Sequence, residues 1–366
     1  MLAEIIPKIA GMKAVDEWDD GYRPRPSSAG PERCIRSMVY HGLGVPKSPW
    51  PGRMVLTVDD SSWHEELTID WIRQSAFQVH SGQMEIDCPP PMTKGHIDGI
   101  ITDILGVDRL LEHKAINHFT FQKYWNNDEL PLDYFTQCAI YISGLQKVNP
   151  AITEGILLIK NKNTAQYMEY VFYYPNDPEH DILTVVTKTN SNGETKDLKI
   201  HIPEIVNNAV EKLNQVQKYI ETNTLPKRPY DMDSWRCEYC GWGHECWSGY
   251  EKEFTEMKTQ CELPNEIADT VRFYKELGSQ KSEIEKQYKE LSGKVKSIMK
   301  ELNIREGRAG EYICKLSLSQ VERLDKTLLT ETERLRATTT SMQERLTISS
   351  PARKELKNGS ADNSSI

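Results

Sequence analysis

Apolar positions along this chain follow two rhythms, one helical and one alternating. Residues 1–30 read as a lead-in with a loop at Tyr22–Pro31. Cys34–Leu43 then puts Ile35, Met38 and Val39 on one side of a helix. Lys47–Arg53 is a Pro-rich loop, and Ser61–Ala76 predicts a second helix that starts at a capping box of Ser62 and Glu65. His64, Leu67 and Trp71 share one face of it. Met84–Cys88 and Lys94–Thr102 read as strands around Pro89–Pro91. Within Gly95–Lys114, the apolar runs Ile97–Ile101 and Leu110–Leu111 predict a hairpin turning near Leu105–Asp108. Asp98 falls on its first strand. Glu112 and Lys114 fall on its second, two residues apart and therefore on one face.

Further on, His118–Pro131 reads as a loop carrying Phe119, Phe121, Tyr124 and Trp125, where exposed aromatics could stack on bases. Leu132–Lys147 predicts a helix with Gln137 and Tyr141 on one face. Gly155–Ile159 and Gln166–Tyr174 predict a second hairpin across the turn Lys160–Ala165, whose Lys160 and Lys162 are available to phosphate. Asp181–Thr187 reads as a strand, the stretch to Lys196 as a loop, and Ile202–Thr222 as a helix. Ile284, Tyr288, Leu291, Val295, Ile298 and Leu302 recur with heptad-like spacing, so a long helix reaching back toward Ile267 is expected. A turn at Gly307–Gly310 and a strand at Glu311–Ser319 follow, and the Thr/Ser-rich end from Leu335 is expected to be disordered.

The 366 residues suffice for two or more domains, and 38% hydrophobic with 27% charged residues is a globular composition. No apolar run is long enough to span a membrane and the N-terminus lacks a signal-peptide core, so a cytoplasmic protein without a membrane partner is expected. A net charge of −9 argues against a general nucleic-acid coat but leaves room for a nuclease, whose acidic metal ligands contribute to it.

Two carboxylates and an ammonium converging on a hairpin are equipment for binding a hard divalent cation and hydrolysing a phosphodiester. A separate signal is C-x2-C-x5-C at Cys237, Cys240 and Cys246. Three thiolates call for a fourth ligand, and both His244, completing a zinc site, and the distant Cys34 qualify. Cys88, Cys138, Cys261 and Cys314 sit among apolar neighbours and read as inert.

These motifs together resemble a RecB-type nuclease of the PD-(D/E)XK superfamily, within the iron–sulfur branch that includes CRISPR-adaptation exonucleases and AddB-like helicase–nuclease subunits. That family's order is Cys, His, Asp, E-x-K, Q-x-x-x-Y and three clustered Cys. Here the order is Cys34, His64, Asp98, Glu112 with Lys114, Gln137 with Tyr141, then Cys237, Cys240 and Cys246. Ile97 stands where the superfamily's signature has proline. The long helix and strand after this region resemble, more loosely, phage recombination exonucleases of the YqaJ kind.

The resemblance implies an α/β fold, a restriction-endonuclease-like mixed sheet flanked by helices, with a C-terminal long helix and short β element. It implies a nuclease domain over residues 31–250, a helical extension over 251–334 and a tail over 335–366. His64, Asp98, Glu112 and the His113 carbonyl would hold Mg²⁺ or Mn²⁺, with the nitrogen ligand favouring Mn²⁺. Lys114 would position water, while Gln137 and Tyr141 would contact DNA or support the site. Cys34, Cys237, Cys240 and Cys246 would bind a 4Fe–4S cluster, with zinc as the alternative. The implied activity is a DNA exonuclease acting on ends or single strands, with a recombinase or oligomer partner along the C-terminal helix. The competing classes are a non-catalytic DNA-binding subunit and a zinc-stabilised interaction protein.

Overall fold

The structure is a computed structural model describing residues 2–16, 21–92, 94–127, 129–177, 179–257, 265–310, 312–318 and 330. The chain divides into two compact units, Met1–Ser248 and Gly249–Ile366. The first unit begins with helices α1 (Leu2–Asp16), α2 (Ile35–Gly42) and α3 (Gly52–Arg73). Strands β1 (Gln78–His80), β2 (Glu85–Asp87), β3 (Lys94–His96), β4 (Gly99–Thr102) and β5 (Asp108–Ile116) follow. Helices α4 (His118–Asn126) and α5 (Leu132–Leu145) lead to β6 (Glu154–Asn161), β7 (Tyr167–Tyr173), β8 (Ile182–Asn190) and β9 (Thr195–Pro203). The unit ends with α6 (Ile205–Glu221), α7 (Trp235–Glu238) and α8 (Gly243–Cys246).

Seven strands form one mixed sheet in the order β1-β4-β5-β6-β7-β8-β9, while β2 and β3 pair separately. Only β5 and β6 run parallel, because the α4–α5 crossover returns the chain to the same end of the sheet. The expected mixed sheet flanked by helices is therefore what the chain forms. One face carries Leu110, Leu157, Ile159, Met168, Tyr170 and Phe172, all buried. On it, the Phe135 ring of α5 meets Tyr170 and Phe172 edge-on at 5.4 and 5.8 Å. The opposite face receives α3, through Thr68 Oγ1 against the Tyr167 hydroxyl at 3.1 Å.

Several elements differ from the sequence reading. Residues 2–16 of the expected lead-in are the helix α1, which packs on α3. Gly52 makes that crossing possible, since a Cβ there would collide with the Pro7 carbonyl. The α3 helix starts nine residues before the expected Ser61: Pro51 is its N-cap, and Ser61 bonds back to the Thr57 carbonyl at 3.1 Å from within the helix. The aromatic segment after His118 is a helix and not a loop, capped by Asn117, whose side chain accepts the Thr120 N–H at 2.9 Å. Of its aromatics, Phe119 is exposed and Phe121 is buried in the core. The stretch before Lys196 is mostly strand, with β8 reaching Asn190 and β9 starting at Thr195. Asp98 lies in the bend before β4 and not on a strand. Lys160 belongs to β6, where it is buried.

The second unit holds α9 (Tyr250–Glu256), α10 (Ala268–Glu301) and a hairpin of β10 (Glu306–Ala309) and β11 (Tyr312–Lys315). Gly307, expected in a turn, is in β10, so the single expected strand is the second half of a hairpin. Along α10 the heptad positions Ile284, Tyr288, Leu291, Val295 and Ile298 are exposed. Cys261 and the tail over 335–366 lie outside the described residues. Among the described residues, no helix is long and apolar enough to cross a membrane.

Candidate active site

The site is built where the sheet opens. β4 pairs with β5 only from Thr102 to Gly99, which stands opposite Leu111. Beyond Leu111, β5 continues to Ile116 without a β4 partner. The Asp98 carboxylate closes the ladder instead, accepting the His113 N–H at 2.7 Å. This bond fixes Asp98 beside Glu112, one step past the last paired residues.

Glu112 is wholly buried, and Lys114 Nζ donates to its Oε1 at 2.5 Å. The other carboxylate oxygen, Oε2, is buried without a hydrogen-bond partner. Burial pushes the Glu112 carboxyl up, Lys114 opposes this and Asp98 adds to it. Burial also raises Asp98, against the pull of Lys114 and the His113 N–H. Burial alone would lower Lys114, but the Glu112 and Asp98 carboxylates outweigh it and hold the ammonium protonated. The Lys114 ammonium lies 5.6 Å from the centre of the Tyr134 ring. The site is thus short of positive charge, with more carboxylate than Lys114 alone neutralises.

Helix α3 contributes the neighbouring pair His64 and Glu65, and these face different partners. Burial, then repulsion by Asp98, pushes the Glu65 carboxyl up to about 7, with Lys114 and a 3.1 Å hydrogen bond from Gln83 opposing. His64 is lowered by burial and by the Lys160 and Lys162 ammonium groups, with Asp60 opposing. Glu65 is therefore electrostatically coupled to Asp98, Glu112 and Lys114, a candidate that the sequence reading missed. Its signal was present, adjacent to His64, but the capping-box spacing gave it a purely local role.

Gln137 and Tyr141 on α5 are both buried and bonded to each other, Gln137 Nε2 donating to the Tyr141 hydroxyl at 3.0 Å. They lie behind Glu112, whose charge raises Tyr141 after burial has done so.

The cysteines gather in a pocket of their own. Cys34, at the N-cap of α2, lines one pocket with Cys237, Cys240 and Cys246 from α7, α8 and the loop between them. Arg36, Arg228 and Arg236 line it too. All four are free thiols. Burial, and then the neighbouring thiols Cys246, Cys34 and Cys240, raise Cys237. His244 is exposed and turned elsewhere, its Nδ1 3.0 Å from Ser48 Oγ and its Nε2 3.7 Å from Glu245. Among the described residues no group of three His, Cys, Asp or Glu side chains already stands at the spacing of a single bound ion.

No protein-family model matches the chain, and no curated protein matches it. Among solved structures it is similar to SSO0001, with a TM-score of 0.35 and 14% identity over 68% of this chain and 97% of that one. It is similar to an alkaline exonuclease, LHK-Exo, from Laribacter hongkongensis, with a TM-score of 0.31 and 12% identity over 55% of this chain and 89% of that one. The same enzyme in complex with dAMP gives a TM-score of 0.34 and 12% identity over 60% and 95%. Likenesses this loose carry no argument about chemistry.

Proposed function

We propose that this chain is a metal-dependent DNA nuclease, an exonuclease on DNA ends, whose fold is clamped by an iron–sulfur cluster. One observation carries the reading: Asp98 is fixed by the His113 N–H next to Glu112 and Lys114 at the open end of β5, and a buried Glu112 oxygen has no partner. A carboxylate oxygen buried without a donor is costly, and a cation satisfies it. The donor set fits Mg²⁺ or Mn²⁺, held by Asp98, Glu112, the His113 carbonyl and an α3 side chain, Glu65 or His64. Such an ion supplies Lewis-acid polarisation of the phosphate and a more acidic water. The chain's own residues orient the reaction. Asp98 is held by the His113 N–H, Lys114 positions the attacking water from its place on Glu112, and Gln137 with Tyr141 support Glu112 from behind. The resemblance in motif order to RecB-type nucleases supports the same assignment.

The four thiols fit a 4Fe–4S cluster. They line one pocket, three arginines offset the negative charge that a cluster with four thiolates carries, and His244 is engaged with Ser48. Such a cluster joins α2 to the end of the unit.

Purified protein should cleave linear DNA with Mn²⁺ or Mg²⁺ and not in EDTA. Lys114→Met and Asp98→Asn should each lower the rate by about 100-fold or more in protein shown to be folded, the scale of a lost positioned acid–base group. Cleavage at the wild-type rate by Lys114→Met would remove the assignment.

A further inference from the structure

The face of β5 turned away from Glu112 carries a second cluster, of the opposite sign. In the parallel pairing, His113 stands opposite Leu158 and Ala115 opposite Lys160, so His113 and Lys160 project from the face that receives α3. Each is only 4% exposed. His113 Nε2 is buried without a partner. The Lys160 ammonium lies 5.5 Å from the centre of the Tyr167 ring. Lys162 reaches onto α3, donating to the Thr57 carbonyl at 3.0 Å and Ser61 Oγ at 2.7 Å. That places it one helical turn from His64, which both lysines influence. Carboxylates on this side include Asp60, which raises Lys162 and opposes the lysines at His64, and Glu169, opposite Leu158; among the described residues neither forms an ion pair with Lys160 or Lys162. Positive charge on this face is thus not cancelled by an ion pair among the described residues, and it is open to an anion.

We propose that Lys160, Lys162 and His113 form a phosphate-binding site between α3 and the β5–β6 pair, taking a phosphate of the nucleic-acid strand. The proposal rests on the nuclease reading for the identity of its ligand. Two ammonium groups and one unpartnered imidazole nitrogen match an oxyanion with several acceptor oxygens. His113 separates Glu112 from Lys114 in sequence but points to the other face. A phosphate held by this cluster lies across β5 from the carboxylates, so it is apart from the bond being cut and holds the strand to this face of the sheet.

The test is binding by the full chain in EDTA, where no cleavage occurs. Anisotropy of a short labelled single-stranded oligonucleotide, carrying a 5′-phosphate or a 5′-hydroxyl, is measured over a salt series with wild type, Lys160→Met and Lys162→Gln. Competition by inorganic phosphate is measured in parallel. Each variant should weaken binding irrespective of sequence and reduce the slope of log affinity against log salt by about one. Equal losses on both oligonucleotides identify an internal phosphodiester as the ligand, and a loss confined to the 5′-phosphate identifies the terminal group. Lys162→Gln, at the half-buried rim, keeps the test readable should Lys160→Met fold poorly. Unchanged affinity and salt slope in folded Lys162→Gln would overturn the site. Absence of cleavage by wild type in Mn²⁺ would instead strike the nuclease reading and leave the binding result interpretable.

Discussion

Cys34→Ser provides the sharpest test of the cysteine pocket. Cys237, Cys240 and Cys246 are close in sequence, so a cluster bound to them alone constrains little chain. Adding Cys34 closes a loop of about 200 residues, which in the chain-entropy description of cross-links removes about 5 kcal/mol from the unfolded ensemble. In a unit of this size each kcal/mol moves the midpoint by about 2–4 °C, so Cys34→Ser should melt about 10–20 °C below wild type. The Ser hydroxyl is nearly isosteric with the thiol, so packing around α2 changes little. His244→Ala removes only contacts to Ser48 and Glu245 at the surface and should keep both its iron and its midpoint. The assay is iron and sulfide analysis with thermal melting of anaerobically purified protein. Full iron content in Cys34→Ser with a midpoint within a few degrees of wild type would refute the reasoning, as would stoichiometric zinc lost only in His244→Ala.

Glu65 makes stability depend on pH in a way that metal should reverse. Its carboxyl is raised from 4.5 to about 7, so the folded chain holds this proton more tightly than the unfolded one. The contribution is complete below the ordinary glutamate value and is lost as pH rises through about 7. Metal-free protein should lose midpoint over that window, Mn²⁺ should offset the loss because it binds the carboxylate, and Glu65→Gln should abolish both effects; a Glu65→Gln profile identical to wild type would remove Glu65 from the site. His64→Ala, compared alongside, should weaken Mn²⁺ binding less than Glu65→Gln does if Glu65 is the α3 ligand. Tyr141→Phe breaks the buried bond to Gln137 and should cost about 1 kcal/mol of stability with activity changed only a few-fold. A large rise in KM for DNA at unchanged stability would mean that Tyr141 reaches the substrate.

What the sequence disclosed was local. The β4–β5 hairpin, the Glu112–Lys114 spacing, α5 and the β6–β7 hairpin are each specified by residues within a few positions of one another. What it concealed depends on tertiary context. β9 alternates half-buried and exposed residues and carries Lys196 and Lys199, so its start reads as the end of a polar loop and its last residues, from Ile202, as the start of the following helix. α4 is rich in aromatics with modest helix propensity, and it is held in place from elsewhere: Lys188 donates to the Tyr124 and Trp125 carbonyls at 2.9 and 3.1 Å, and Lys196 to Trp125 at 3.1 Å. α3 contains the polar run from Asp59 to Glu66, which resembles a helix start and lies inside one. Glu65 and the lysine cluster share a cause of invisibility: their meaning comes from strands that lie thirty to a hundred positions away in sequence.

The pocket joining Cys34 to the end of the first unit also sets a schedule. A ribosome releases the hairpin bearing Asp98 and Glu112 as one short stretch, whereas the partners of Cys34 emerge last in the unit. At about 5–20 residues per second, some 200 residues correspond to about 10–40 seconds of synthesis. Throughout that interval Cys34 is an unpaired nascent thiol, and the carboxylates can meet before the chain that closes the unit exists. Loading of the proposed cluster would accordingly be an event of late or completed translation, and a chain truncated before Cys237 would keep its carboxylates but lack three of the four proposed ligands.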